Sequence, residues 1–165
     1  MEQTVILSEK EIAQRIKRMA YQIYETNCKS EKVILAGIIG NGYLLAEEIA
    51  KALKAISPLE IVLCEVKIDK KNPRNTIETS IDISAYENQS LVLVDDVLHT
   101  GTTLIYGVKH FLEVPLSQFK TAVLVDRNHK KYPIKADFKG ISLSTSLNEN
   151  VVVEFTEAGA LAYLE

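Results

Sequence analysis

Apolar positions recur at helical spacing early in the chain, where Ile12, Ile16, Met19, Ala20 and Ile23 follow Ser8 and Glu11. The Ser-x-x-Glu spacing is that of a capping box, so the pattern predicts an amphipathic helix over residues 9–27. Val33 to Ala36 form an unbroken apolar run closed by Gly37, the signature of a short buried strand. After the Gly40-Asn41-Gly42 turn, Leu45, Ile49, Ala52 and Leu53 predict a second helix, which Ser57-Pro58 ends before a strand at Ile61–Val66. Residues 67–80 break this rhythm with Lys67, Lys70, Lys71, Pro73 and Arg74 and few apolar groups, and read as a loop. Beyond Ile81 and Ile83, the most apolar strand is predicted at Leu91–Val94, a helix at Thr102–Glu113, and another buried strand at Thr121–Val125. Residues 126–150 look irregular, and Val151–Phe155 predicts a last strand.

Strands alternate with helices through residue 125, which predicts an α/β fold with a mainly parallel twisted sheet flanked by helices. The strands are continuously apolar rather than alternating, as expected when helices cover both faces. With 165 residues, no internal repeat and no low-complexity linker, residues 1–165 are expected to form one domain.

Composition changes this picture little, since 47% hydrophobic and 25% charged residues are ordinary for a globular chain. A net charge of −3 argues against a uniformly basic nucleic-acid binder and leaves a local basic patch open. Cys28 and Cys64 stand 36 positions apart without metal-ligand spacing, which suits reduced thiols of a cytosolic protein. The start Met1-Glu2-Gln3-Thr4 lacks the basic opening of a signal peptide. The longest charge-free stretch, residues 33–46, is too short to span a bilayer. A cytoplasmic location with no membrane partner is expected.

The informative chemistry lies in residues 91–103. A buried strand ends in Asp95 and Asp96 at the carboxyl edge of the sheet, where open α/β folds bind ligands. Thr100-Gly101-Thr102-Thr103 then opens a helix, bringing backbone N–H groups and hydroxyls to one point. Such a turn suits a phosphate monoester, favoured by the helix dipole. Two carboxylates beside a phosphate repel it unless they serve another group, such as the vicinal hydroxyls of a ribose or Mg²⁺ reached through water. The plainer alternative is an ordinary strand-to-helix turn with solvated aspartates. A Walker-type loop is excluded, because no Gly-x-x-x-x-Gly-Lys-Ser/Thr occurs.

Residues 91–104 resemble the 5-phosphoribosyl-1-pyrophosphate motif of type I phosphoribosyltransferases. The resemblance implies that Asp95 and Asp96 hold the ribose 2- and 3-hydroxyls and that Thr100, Gly101, Thr102 and Thr103 hold the 5-phosphate. It implies Mg²⁺ as cofactor and a small base-binding hood beside the sheet. It puts His99 where purine-salvage members carry an aspartate, and a histidine there suits either an acid–base role or a polar lining. Residues 125–140, Ser144-Thr145-Ser146 and the Thr4-to-Leu7 start are similar to the pyrimidine-operon attenuator proteins that double as uracil phosphoribosyltransferases.

That second likeness implies a base site near Asp126, Arg127, Phe138 and Lys139. Phe138 is either a stacking platform for a planar base or a core residue, and Asp126–Arg127 either a base reader, leaning to uracil, or a strand-end ion pair. The loop bearing Gly40, Asn41 and Gly42 lies where this family binds pyrophosphate. Here it carries no charge, so backbone amides are left to hold the leaving group. Lys70, Lys71 and Arg74 either close over the pyrophosphate or form a solvated basic loop, in a segment that looks shorter than the family's catalytic loop. The expected partners are 5-phosphoribosyl-1-pyrophosphate and a nucleobase, with a homodimer or larger homo-oligomer carried over by resemblance. Two other readings stay open. One is an RNA-binding regulator using Arg15, Lys17, Arg18, Lys130, Lys131, Lys135 and Lys139. The other is transfer to hypoxanthine or guanine.

Overall fold

The computed structural model describes residues 3–146 and 149–165. The chain opens with strand β1 (Thr4–Leu7) and helix α1 (Glu9–Asn27). The capping box forms as predicted: Ser8 Oγ accepts from Glu11 N at 3.3 Å, and Glu11 Oε2 accepts from Ser8 N at 2.8 Å. There follow β2 (Lys32–Ile38), α2 (Asn41–Ile56), β3 (Glu60–Lys67), β4 (Glu78–Thr79), α3 (Ile83–Tyr86), β5 (Ser90–Leu98) and α4 (Thr102–Phe111). The chain ends with β6 (Gln118–Arg127), β7 (Phe138–Leu143), β8 (Val151–Thr156) and β9 (Gly159–Leu164).

The main sheet has the order β4-β3-β2-β5-β6-β7, with the short edge strand β4 antiparallel and the rest parallel. Helices cover both faces, which is why the central strands are apolar throughout. Val33, Leu35, Val92, Val94, Ala122 and Leu124 face one core with the apolar sides of α1 and α2. Ile34, Ala36, Leu91, Leu93 and Val123 face another with Leu104, Phe111 and Tyr86. Tyr86 and Phe111 meet edge to face at 5.2 Å in that second core.

From β2 the chain passes through α2 to β3 on one side, and from β5 through α4 to β6 on the other. The strand order thus diverges between β2 and β5, and a crevice at their carboxyl ends follows from this topology. Gly37 of β2 is in register with Val94 of β5, so the β2–α2 turn and Asp95 reach the edge together.

A smaller antiparallel sheet, β1-β9-β8, forms the hood. Val153 and Ala162 join it to the α1/α2 core, and Asn41 Nδ2 donates to the Val153 carbonyl at 2.7 Å. The sequence pattern anticipated neither β7 within the irregular stretch nor β9, whose Gly-Ala-Leu-Ala-Tyr-Leu run is poor in β-branched residues. Cys28 is exposed and Cys64 buried, and both are free. Among the described residues no helix is long and apolar enough to cross a membrane.

Candidate active site

The site is built on the carboxyl end of β5. Asp95 is 4% exposed and its Oδ1 accepts from the Asp96 amide at 2.9 Å. Its burial has a local cause: a Cβ on Gly42 would stand 3.0 Å from Asp95 Oδ1 and 2.9 Å from the Val94 carbonyl. Only glycine lets the start of α2 close on β5 at that distance. Burial, then the charge of Asp96, push the Asp95 carboxyl up to about 8. Lys70 Nζ, 4.0 Å from Asp95 Oδ1, opposes that shift. A carboxyl held this far from its ordinary value, at a sheet edge, is poised for a partner that donates hydrogen bonds or positive charge.

Beyond Asp96 the chain turns through His99 and Thr100 into α4. Gly101 caps the helix at φ 85°, a left-handed conformation that favours glycine, and no side chain caps the helix. A Cβ there would also lie 2.5 Å from Ile134 Cγ2, so the residue is fixed twice over. The Thr100 and Thr102 hydroxyls lie 3.0 Å apart, and Thr100 Oγ1 accepts from Thr102 N at 3.3 Å. From behind, Lys131 N and Tyr132 N both donate to the Thr100 carbonyl, at 2.8 and 3.1 Å. A pocket of about 90 Å³ opens here, lined by Lys70, Asp95, His99 and the Thr100–Thr103 turn. Hydroxyls, helix-start amides and the positive end of α4 converge on it, which suits one phosphate group.

His99 is largely exposed, and the partial desolvation of its ring, then the nearby Arg127 and His129, lower its pKa. It is therefore a neutral imidazole near pH 7, able to accept or donate. Gly40, Asn41 and Gly42 open α2, whose first turn lacks a side-chain cap, so backbone amides face the crevice edge. The Asn41 side chain does not take part, being committed to Val153.

The structure corrects three further assignments. Phe138 is 6% exposed and sits in the α1/α2 core, so the surface expected to stack on a base is covered. Arg127 is 2% exposed and donates to Thr145 Oγ1 at 2.9 and 2.7 Å and to the Glu149 carbonyl at 2.6 Å, so its guanidinium braces a neighbouring segment instead of reading a base. Arg74 lines a different recess, against Tyr106, Lys109 and His110, and only Lys70 of the basic loop reaches the carboxylates.

Asp126 is 5% exposed between two lysines. Lys130 Nζ is 2.9 Å from Oδ1, short of hydrogen-bond geometry, and Lys139 Nζ is 3.5 Å from Oδ2. Sequence reasoning missed Lys130 as a partner, and missed Thr145 and Glu149 as anchors of Arg127. Only the i,i+4 spacing of Asp126 and Lys130 signalled any of this. Among the described residues no group of three or more His, Cys, Asp or Glu side chains could hold a metal ion by itself. The paired aspartates fit a hard cation whose remaining ligands come from a substrate's oxygens and water.

A buried strand ending in paired carboxylates and passing into an uncapped helix start is the layout of an α/β protein that handles a sugar phosphate. The phosphoribosyl transferase domain model matches residues 2–158. The bifunctional protein PyrR of Streptococcus mutans is 37% identical over 86% of this chain and 82% of that protein. The pyrimidine operon regulatory protein of Lactococcus lactis is 34% identical over 92% of this chain and 90% of its own. Among solved structures, a hypoxanthine-guanine phosphoribosyltransferase from Bacillus anthracis superposes with TM-score 0.77 at 16% identity, covering 98% of this chain and 96% of that one. The hypoxanthine phosphoribosyltransferase of Trypanosoma cruzi gives 0.76 at 18% identity, over 90% and 85%. The chain belongs to the type I phosphoribosyltransferase family, among its PyrR-like members.

Proposed function

We propose that this protein transfers the 5-phosphoribosyl group of 5-phosphoribosyl-1-pyrophosphate to uracil and releases pyrophosphate. The observation that carries the reading is the single pocket joining buried Asp95 to the Thr100–Thr103 turn, with Lys70 across it. The turn takes the 5-phosphate through the Thr100, Thr102 and Thr103 hydroxyls and the first amides of α4. Asp95 and Asp96 accept hydrogen bonds from the ribose hydroxyls, which fixes the ring. The α2 amides at Gly40–Gly42 and the Lys70 ammonium lie on the side where the pyrophosphate leaves. Asp95 and Asp96 would hold Mg²⁺ through water, and the ion would supply charge neutralisation for the leaving pyrophosphate. As the bond to C1 breaks, positive charge grows on the ring beside the two carboxylates, so catalysis is mainly positioning and electrostatic stabilisation. Neutral His99 stands beside the ring on the side of β6, where it can relay the proton of the incoming base.

Uracil is favoured because one sequence relative is named a pyrimidine operon regulatory protein, whereas the purine-transferase neighbours are alike in fold alone. Asp126 with its two lysines lies on the neighbouring strand β6, in register with Leu98 at the end of β5, with Lys139 the more exposed of them. The test is pyrophosphate release over a panel of uracil, hypoxanthine and guanine, with and without Mg²⁺. Mg²⁺-dependent release with uracil supports the reading, and release with the purines alone overturns it.

The second reading, a nucleotide-sensing regulator of pyrimidine genes that binds RNA, draws on the name of the Lactococcus relative. Part of the basic set proposed for it is engaged within the fold. Arg18 donates to the Lys139 and Gly140 carbonyls, both at 2.6 Å, and Lys130 and Lys139 pair with Asp126. Salt-sensitive binding of a pyrimidine-operon leader RNA without uracil turnover would favour that reading. A homodimer or larger assembly is proposed with either, to be checked by sedimentation.

A further inference from the structure

A second recess of about 280 Å³ lies between residues 73–77 and the end of α4, away from the carboxylates. Its lining divides by chemistry. Arg74 and Lys109 supply positive charge, with Lys109 Nζ 5.9 Å from the centroid of the Tyr106 ring. Pro73, Ile77 and Tyr106 supply apolar and aromatic surface, and Glu113 one carboxylate. His110 lines the same recess, and its Nε2 is buried with no hydrogen-bond partner. Burial lowers the pKa of His110 against the opposing charge of Glu113, so its ring is neutral near pH 7 and offers one N–H.

The loop above the recess is tied to itself. Asp69 Oδ1 accepts from Lys71 N at 2.9 Å and from Asn72 N at 3.2 Å, and Asp69 Oδ2 accepts from Asn75 Nδ2 at 3.0 Å. Asn72 Nδ2 donates to Asn75 Oδ1 at 3.1 Å. Residues 69–75 are therefore linked as a unit, with Lys70 at Asp95 on one side and Arg74 at the recess on the other.

We propose that this recess is an effector site for a nucleoside monophosphate, and that its occupation holds the 69–75 loop so that Lys70 stays against Asp95. The phosphate meets Arg74 and Lys109 beside the His110 ring, the base lies along Tyr106, and Glu113 accepts from sugar hydroxyls. An inorganic phosphate uses only the first of these three contacts and a nucleoside only the other two, so both bind more weakly. Held in place, the Lys70 ammonium competes with the ribose hydroxyls for Asp95 and weakens sugar-phosphate binding. The binding half of the inference stands without phosphoribosyl transfer, and the coupling half rests on that proposed function.

The test follows the His110 imidazole resonances of the full chain, assigned with His110→Gln, during titration with AMP, adenosine and inorganic phosphate. AMP is expected to give a saturable shift that adenosine and phosphate reach only at concentrations about tenfold higher. Arg74→Ala and Lys109→Ala are each expected to weaken the AMP effect about tenfold, and the Asp95→Asn/Asp96→Asn double variant to leave it intact. No saturable shift up to about 10 mM AMP, an unchanged shift in Lys109→Ala, or its loss in the double aspartate variant would each overturn the site. With AMP saturating, Mg²⁺–phosphoribosyl pyrophosphate is expected to bind the wild type several-fold more weakly and Lys109→Ala undiminished. Equal weakening in both would overturn the coupling. A chain that shows the His110 shift and never binds phosphoribosyl pyrophosphate would refute the proposed function and not the site.

Discussion

The turn after β5 and the segment after β6 lie side by side on one edge of the sheet, and they use their polar groups in opposite ways. Around Asp95 the polar groups are local in sequence and border one small pocket: a helix start whose N-cap lacks a side-chain hydrogen bond, a pair of hydroxyls, and a buried carboxyl facing one lysine at 4.0 Å. Around Arg127 they are drawn from farther along the chain and engaged within the fold, with Arg127 bound to Thr145 and Glu149, while the neighbouring Asp126 is flanked by Lys130 and Lys139. Open polar groups at a buried edge cost stability and await a ligand, whereas closed ones hold a fold. The contrast supports the proposed binding role of the first region and makes Arg127 of the second a scaffold residue.

Four substitutions sharpen that contrast, from the largest effect to the smallest. Gly101→Ala loses the left-handed cap and drives a methyl into Ile134, so sugar-phosphate affinity is expected to fall by about 3 kcal/mol in calorimetric titration, with stability lowered as well. Arg127→Met leaves the Thr145 hydroxyl and the Glu149 carbonyl without their partner and is expected to lower unfolding stability by about 2 kcal/mol in denaturant melts, with new proteolytic cleavage near Thr145.

Asp95→Asn works in the reverse direction. The folded-state pKa of Asp95 is raised to about 8, above its unfolded value, so the folded chain binds the extra proton. Its contribution is complete below about pH 4 and is lost as pH rises toward 8. The unliganded wild type should therefore become less stable across that window. The asparagine variant should lose this slope and gain about 1–2 kcal/mol at pH 8 while binding ligand poorly. Thermal melts from pH 4 to 9 check the sign, and a wild type whose stability rises through the window would contradict it. Lys139→Gln removes one half-exposed lysine at 3.5 Å from Asp126, with Lys130 remaining, and is expected to change stability by less than about 0.5 kcal/mol.

The same division explains what the sequence made legible. Helix α1, the central strands and the Thr100–Thr103 helix start could be read because each is specified within a few neighbouring positions, by a capping box, an apolar run or a glycine that starts a helix. Strand β7 was hidden within an irregular polar stretch, since its pairing with β6 depends on residues 16 positions away. The roles given to Phe138, Arg127 and Arg74 failed for a related reason. A strand aromatic can face core or ligand, and an arginine at a strand end can face a base or a neighbouring loop, and only the tertiary fold decides. Asn41 fell in the expected loop, yet its side chain reaches Val153, 112 residues on.

The most direct measurement is a calorimetric titration of Mg²⁺–5-phosphoribosyl-1-pyrophosphate into the wild type and the Asp95→Asn/Asp96→Asn variant. The account predicts one site per chain in the wild type and affinity at least about 100-fold weaker in the variant, which should stay folded. Equal affinity in the two proteins would contradict the assignment of this edge as the sugar-phosphate site.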